Sequence, residues 1–131
     1  MKRLTKLIPL IAVGAVLVLT LLPATAPANS PAGTISFAGN GTLLSDDSVD
    51  VTLHYSCLPP GPGGIDVSLD EGGTAFGFAF STLATCDGRT HSVTVNMAPG
   101  PFTPGIATGN ATVFNLDGQV VASASERVAI K

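Results

Sequence analysis

The sequence predicts an all-β domain, a sandwich or barrel of about seven short strands, and three observations carry that expectation. Beyond residue 28 no window places apolar residues at the three-and-four spacing of an amphipathic helix. Several windows instead alternate apolar and polar residues strictly, as a strand does when one face meets the core and the other meets water. Turn signals separate these windows at roughly ten-residue intervals.

Taken in order, residues 34–37 make a short first strand, and Ala38-Gly39-Asn40-Gly41 is a turn cluster. The clearest alternation follows over residues 49–57: Val49, Val51, Leu53, Tyr55 and Cys57 share one face, and Asp50, Thr52, His54 and Ser56 share the other. Residues 65–71 alternate Ile65, Val67 and Leu69 with Asp66, Ser68 and Asp70. Gly72-Gly73 then turns the chain into a strand over residues 74–81, because paired glycines tolerate the positive φ angles of a tight hairpin. Residues 91–97 alternate Val93, Val95 and Met97 with Ser92, Thr94 and Asn96. Residues 107–114 and 119–130 form the last two strands, joined around Asp117-Gly118. Two Pro/Gly stretches, residues 58–64 and 98–105, are expected outside strands, since proline lacks a ladder donor.

The start of the chain reads as a secretory signal. Lys2, Arg3 and Lys6 give a positive start, residues 7–22 an uncharged apolar run, and Pro23-Ala24-Thr25-Ala26-Pro27-Ala28 a small-residue cleavage region. The run is shorter than the roughly 20 residues of a spanning helix. Cleavage is expected after Ala28 rather than Ala26, which would leave Pro27 just past the cut. The expected organisation is a signal peptide over residues 1–28, a flexible tail over 29–33 and one domain over 34–131. No cysteine directly follows the apolar run to take a lipid. The expected fate is release as a secreted, extracellular protein, with no membrane association after cleavage.

The formal charge of −3 understates the acidity of that released part. Three of the six basic residues leave with the signal, so Arg89, Arg127 and Lys131 face all nine acids, a net charge of −6. Such a surface repels phosphate backbones and excludes nucleic acid as a partner. It also lacks the basic patch that holds an anionic membrane.

The two cysteines, Cys57 and Cys86, read as one disulfide in an oxidising compartment. Cys57 ends the second predicted strand and Cys86 stands just before the strand that His91 opens. In an immunoglobulin-like sandwich those strands are antiparallel neighbours, so the bridge is expected to staple one end of a sheet. That assignment favours an immunoglobulin-like β-sandwich of about seven antiparallel strands.

Neither catalysis nor metal binding is expected. A nucleophile with a base and an orienting group is missing: His54 reads as a surface histidine, and His91, after Asp87-Gly88, as a turn support. Asp46-Asp47 with Asp50, and Asp66 with Asp70 and Glu71, lack the loop spacing of a calcium site. No cofactor is implied. Phe76, Phe78 and Phe80 share one strand face and are expected in the core, the alternative being an exposed stripe that faces a ligand or partner.

Tyr55-Ser56-Cys57 with the Gly/Pro loop after it, Ala75-Phe76-Gly77, Cys86-Asp87-Gly88 with His91, and Pro101-Phe102 with Pro104-Gly105 resemble small secreted immunoglobulin-like proteins of high-GC Gram-positive bacteria. The resemblance covers about residues 48–131, and its most specific piece is the Cys-Asp-Gly-x-x-His run. It implies export, the bridge and the sandwich, and it transfers no activity. A lesser resemblance, to secreted enediyne-carrying apoproteins of the neocarzinostatin type, rests on acidity and length; those proteins carry two disulfides where this chain has cysteines for one. The expected function is a secreted, monomeric, non-catalytic binding or structural module for a protein or small-molecule ligand. The alternative is a carrier with an apolar cleft between its sheets, lined by Phe76, Phe78 or Phe80. The candidate binding surface is the disulfide end, where Leu58, Asp87, Arg89, Asn115 and Asp117 gather and Pro59, Pro60 and Pro62 stiffen the loops.

Overall fold

Apolar–polar alternation builds seven strands: β1 (Ala32–Leu43), β2 (Val49–Leu58), β3 (Gly61–Asp70), β4 (Phe76–Cys86), β5 (His91–Gly100), β6 (Gly105–Phe114) and β7 (Val120–Ile130). The computed structural model describes residues 30–131, and the expected signal peptide lies outside the described residues. The strands follow the order β1-β2-β5-β4-β3-β6-β7 around a closed barrel.

That closure corrects the sandwich expectation. Two strands bring it about by taking a second partner near their ends. β5 pairs with β2 from His91 to Met97, and then its last residues, Ala98 to Gly100, pair with Phe78 to Phe76 of β4. β1 pairs with β2 along its length with a bulge between Ala38 and Thr42, and at the bulge its other edge runs parallel to the end of β7, with Gly41 opposite Ile130. Leu43 N–H donates to the Lys131 carbonyl (2.9 Å) and Lys131 N–H to the Gly41 carbonyl (3.0 Å), sealing the seam. A two-sheet sandwich would leave four edges open, whereas these two overlaps join them. The β1–β7 pairing is parallel, so the expectation of antiparallel strands throughout is also corrected.

Several boundaries differ from those the sequence suggests, each for a local reason. The turn cluster at residues 38–41 is a bulge within β1, which begins at Ala32 and pairs from there with Leu58. Pro62 and Pro99 lie inside strands, not in loops. At Pro62, β3 has only β4 beside it, because pairing with β6 starts at Gly64. At Pro99, β5 has already left β2. A missing N–H is tolerated where a strand has one neighbour. Gly72-Gly73 does turn the chain, with φ of 60° and 79° and a Thr74 N–H···Glu71 carbonyl bond of 3.0 Å.

The inward faces of β2, β3, β5, β6 and β7 form one core in which Leu53, Ile65, Leu69, Met97 and Ile130 are fully buried. Phe102, from the β5–β6 connection, is the largest of the fully buried side chains. It reaches the core under Gly77, where a Cβ would sit 2.9 Å from the Phe102 ring and from the Met97 backbone. Only glycine allows β4 and β5 to approach closely enough to close the barrel there.

Candidate functional site

The disulfide end is built from three connections. Cys57 and Cys86 are bonded with Cα atoms 4.5 Å apart and are almost wholly buried. Cys86 is the last residue of β4 rather than a loop residue before β5, so the bridge joins β2 to β4 across the intervening strand β5. The expected staple between neighbouring strands is corrected accordingly. Gly88 N–H donates to the Cys57 carbonyl (3.2 Å), and Tyr55 OH accepts from Thr85 N–H (3.0 Å) beside the bridge.

The residues expected at this end are brought together there in unequal roles. Asp87 Oδ1 accepts from Arg89 N–H (2.9 Å) and from His91 Nε2 (2.8 Å), and the His91 ring lies against Tyr55 at 5.6 Å. Asn115 is 3% exposed, and its Oδ1 accepts from the backbone N–H groups of Asp117 and Gln119, both at 3.0 Å. Asp87 and Asn115 therefore hold turns. Leu58 is half-buried beside Gly88, while Arg89 and Asp117 are exposed. Two open depressions flank the bridge: one of ≈ 390 Å³ bordered by Gly61, Pro62, Leu83 and Cys86, and one of ≈ 290 Å³ bordered by Gly33, Ser56, Leu58 and Gly88.

The hydrogen bond from His91 holds the Asp87 carboxyl below its ordinary value of 3.8, with the Arg89 N–H adding to the effect. A lowered folded-state value means the turn contact is present above the unfolded carboxyl range and is lost as pH falls through the folded value. Carboxyl ¹³C titration is expected to give Asp87 a midpoint below 3.8 in the wild type, moving upward in His91→Ala. A midpoint at or above 3.8 in the folded wild type would show that the pair does not form.

A second feature lies on the outer face of β4. Phe76, Phe78 and Phe80 are 47%, 42% and 63% exposed, which corrects the expectation that they pack in the core. Inward between and before the rings come Ala75, Gly77 and Ala79, and Phe102 and Met97 take the space beneath Gly77. The three rings tile one another, with centroids 5.8 Å and 4.9 Å apart and the Phe78–Phe80 pair stacked. Past Phe80 a bulge inserts one residue: Ser81 has φ of 55°, and its N–H donates to Asp66 Oδ1 at 2.9 Å. The bulge reverses the phase, turning Ala84 and Cys86 inward and leaving Leu83 83% exposed. One apolar ridge thus runs from Phe76 to Leu83.

The rows on the β3 side of the ridge are polar. Asp70, Ser68 and Asp66 of β3 come first, with Asp70 opposite Phe76 and Ser68 opposite Phe78. Thr108, Asn110 and Thr112 of β6 follow, and then Arg127, Ser125 and Ser123 of β7. A shallow hollow of ≈ 120 Å³ lies between Phe80, Asp66, Ser68, Asn110 and Thr112. Sequence alternation found the Phe row but not its direction. The signal that could have set it is the composition of the opposite face, since Gly and Ala alone fill little core.

His54 is exposed in register with Ser36 and Ser92, and His91, half-buried against Tyr55 at the start of its strand, makes its side-chain hydrogen bond to Asp87. Among the described residues no group of three or more His, Cys, Asp or Glu side chains is arranged to hold a metal ion. No helix among them is long and apolar enough to cross a membrane.

Fold and site together define a small, disulfide-bonded, all-β barrel domain. No protein-family model and no curated protein matches the chain. Among solved structures it is similar to the CARDB domain of a Pyrococcus furiosus protein, at 18% identity over 78% of this chain and 96% of that one, with a TM-score of 0.43. It is similar also to part of a β-glucosidase from Listeria innocua, at 14% identity over 76% of this chain and 16% of the enzyme, with a TM-score of 0.40. A β-glucosidase from Kluyveromyces marxianus matches at 9% identity over 76% of this chain and 14% of the enzyme, with a TM-score of 0.34. The chain spans about a sixth of the Listeria enzyme. At these scores the likenesses say nothing about activity.

Proposed function

We propose that the protein is an extracellular, non-catalytic, monomeric binding module whose contact surface is the outer face of β4. The observation that carries this reading is the ridge of Phe76, Phe78, Phe80 and Leu83, left outside a barrel whose core is already filled. Contiguous apolar surface of this kind on a soluble domain marks an interaction site. The ridge also runs into the disulfide end, because Leu83 borders the depression next to Cys86. The expected binding end and the ridge are then one continuous surface on a rigid support. Export is supported by the leading charge-and-apolar pattern and by the disulfide. The carrier alternative draws no support from the phenylalanines, which stand outside the barrel rather than around a cleft.

The test uses wild type and a Phe78→Ser/Phe80→Ser variant, both secreted, purified from culture supernatant and immobilised. Each is exposed to the extracellular fraction. The wild type is expected to retain a partner that the variant releases, with both proteins folded by circular dichroism. Identical retention by both, or no retention by either, overturns this reading, as does recovery of the wild type only as full-length chain in membranes.

A further inference from the structure

We infer that the partner of the ridge is a cationic amphipathic polypeptide segment, one that sets a row of apolar side chains beside a row of Lys or Arg. This inference rests on the binding-module reading above and adds the chemistry of its partner.

Two rows with different chemistry run side by side. The apolar row extends from Phe76 to Leu83, roughly 23 Å at the usual rise of a strand, the span of about seven extended residues or several helical turns. The neighbouring row on β3 carries carboxylates at both ends, Asp70 opposite Phe76 and Asp66 beside the Phe80–Ser81 bulge. Each carboxylate is fixed in place by a backbone N–H: Asp66 by Ser81 (2.9 Å) and Asp70 by Gly73 (2.9 Å). In each the bond engages Oδ1. No described salt bridge neutralises either group. On this face the register places Arg127 beyond the Thr108 row, two strands from Asp70. The ridge is therefore flanked on its β3 side by uncompensated negative charge that is already oriented, and a complementary partner brings positive charge at that offset.

The same geometry disfavours the other occupants. A second copy packing ridge against ridge about a two-fold axis brings its own Asp66 and Asp70 into the interface, where like charges oppose association. An anionic lipid surface meets the same repulsion. A sugar ring stacks on an open aromatic face, yet Phe78 and Phe80 already stack on each other. A cationic side chain, by contrast, gains from both the carboxylates and the ring electrons.

The experiment measures fluorescence anisotropy of labelled peptides titrated with the folded mature protein. The probes are an alternating Leu/Lys peptide of about eight residues, its Leu/Glu counterpart, and a Leu/Ser counterpart; sedimentation of the protein with neutral phosphatidylcholine vesicles is run beside them. The Leu/Lys peptide is expected to bind, and to weaken as salt is raised. Phe78→Ser/Phe80→Ser should weaken it by about tenfold or more. Asp66→Asn and Asp70→Asn, which keep the Oδ1 acceptor, should each weaken it by about two- to fivefold. Asp50→Asn, an acid on β2 that β5 separates from β4, should leave it unchanged. Equal affinity for the Leu/Glu peptide, or a loss at Asp50 matching that at Asp66 and Asp70, overturns the charge assignment. Preferential binding to vesicles, or a concentration-dependent dimer abolished by the Phe variant, assigns the ridge to lipid or to a second copy and overturns it equally. If the supernatant partner is retained through the ridge while only the Leu/Ser peptide binds, the cationic partner is wrong and the binding module stands. If the ridge variants change neither experiment, both are wrong.

Discussion

Loss of the Cys57–Cys86 bridge, by reduction or in Cys57→Ala/Cys86→Ala, is expected to lower stability by about 2–5 kcal/mol. The cysteines are 29 residues apart, and closing a loop of that size in the unfolded chain contributes roughly 3.5 kcal/mol in the chain-entropy model. Against the ~5–15 kcal/mol of an ordinary domain this is a large share. The topology concentrates the effect. β2 and β4 are not hydrogen-bonded neighbours, since β5 lies between them and pairs with β4 only over three positions near its far end. At the other end of the barrel the bridge is the covalent tie across that gap. Both sulfurs are also buried, and at Gly63 a Cβ would fall 2.8 Å from the Cys86 sulfur, so β3 packs directly on the bridge. The melting temperature should fall on the order of 15–25 °C for a domain of this length. Amide exchange should rise first at Thr85 and Gly88, whose N–H groups bond to Tyr55 and Cys57. Reduced and alkylated protein that melts with the oxidised form would show that the bridge does not support the fold.

How far the sequence could be read depends on where period-two alternation was intact. It is unbroken from Val49 to Cys57, and there both the strand and its buried face were legible. It fails in β4, where the bulge at Phe80–Ser81 shifts the phase by one residue, so a strand running to Cys86 looked as though it stopped at Ser81. One inserted residue thus hid the exposure of Leu83, the strand position of Cys86 and the route of the disulfide. Barrel closure was illegible for a different reason. It depends on where β5 changes partner and β1 takes a second one, and the residues that do so, Ala98 to Gly100 and Gly41 in its bulge, are small or turn-forming and carry no alternation. The disulfide end was legible because turn chemistry is local: Asp87-Gly88 and Asn115 to Gly118 fold through their own side chains onto their own backbone. The ridge was not, because the inward or outward sense of a strand with Phe on one face and Gly or Ala on the other is decided by what else fills the core.

What fills it is Phe102, and Phe102→Ala is expected to cost about 3–5 kcal/mol. The side chain is 1% exposed although it comes from a connection rich in proline and glycine, the kind of segment normally left at the surface. Its N–H donates to the Asp47 carbonyl at 2.8 Å, tying the β5–β6 connection to the β1–β2 turn, and its ring lies under Gly77 and Gly100. The void left by truncation is walled by backbone that is already committed: β4 and β5 pair at Phe76–Gly100 and Gly77–Pro99 directly above it. Collapse there would break the pairing that closes the barrel, so the cavity stays open and the cost falls at the upper part of the range for an aromatic deletion. Phe80→Ala gives the matched control. It removes the same ring from the outer face, where it is 63% exposed, and should change stability by no more than about 0.5 kcal/mol. Urea unfolding of the two variants measures both costs directly. Phe102→Ala as stable as wild type, or Phe80→Ala the more damaging of the two, would place the wrong phenylalanine inside and remove the basis for treating the β4 face as a binding surface.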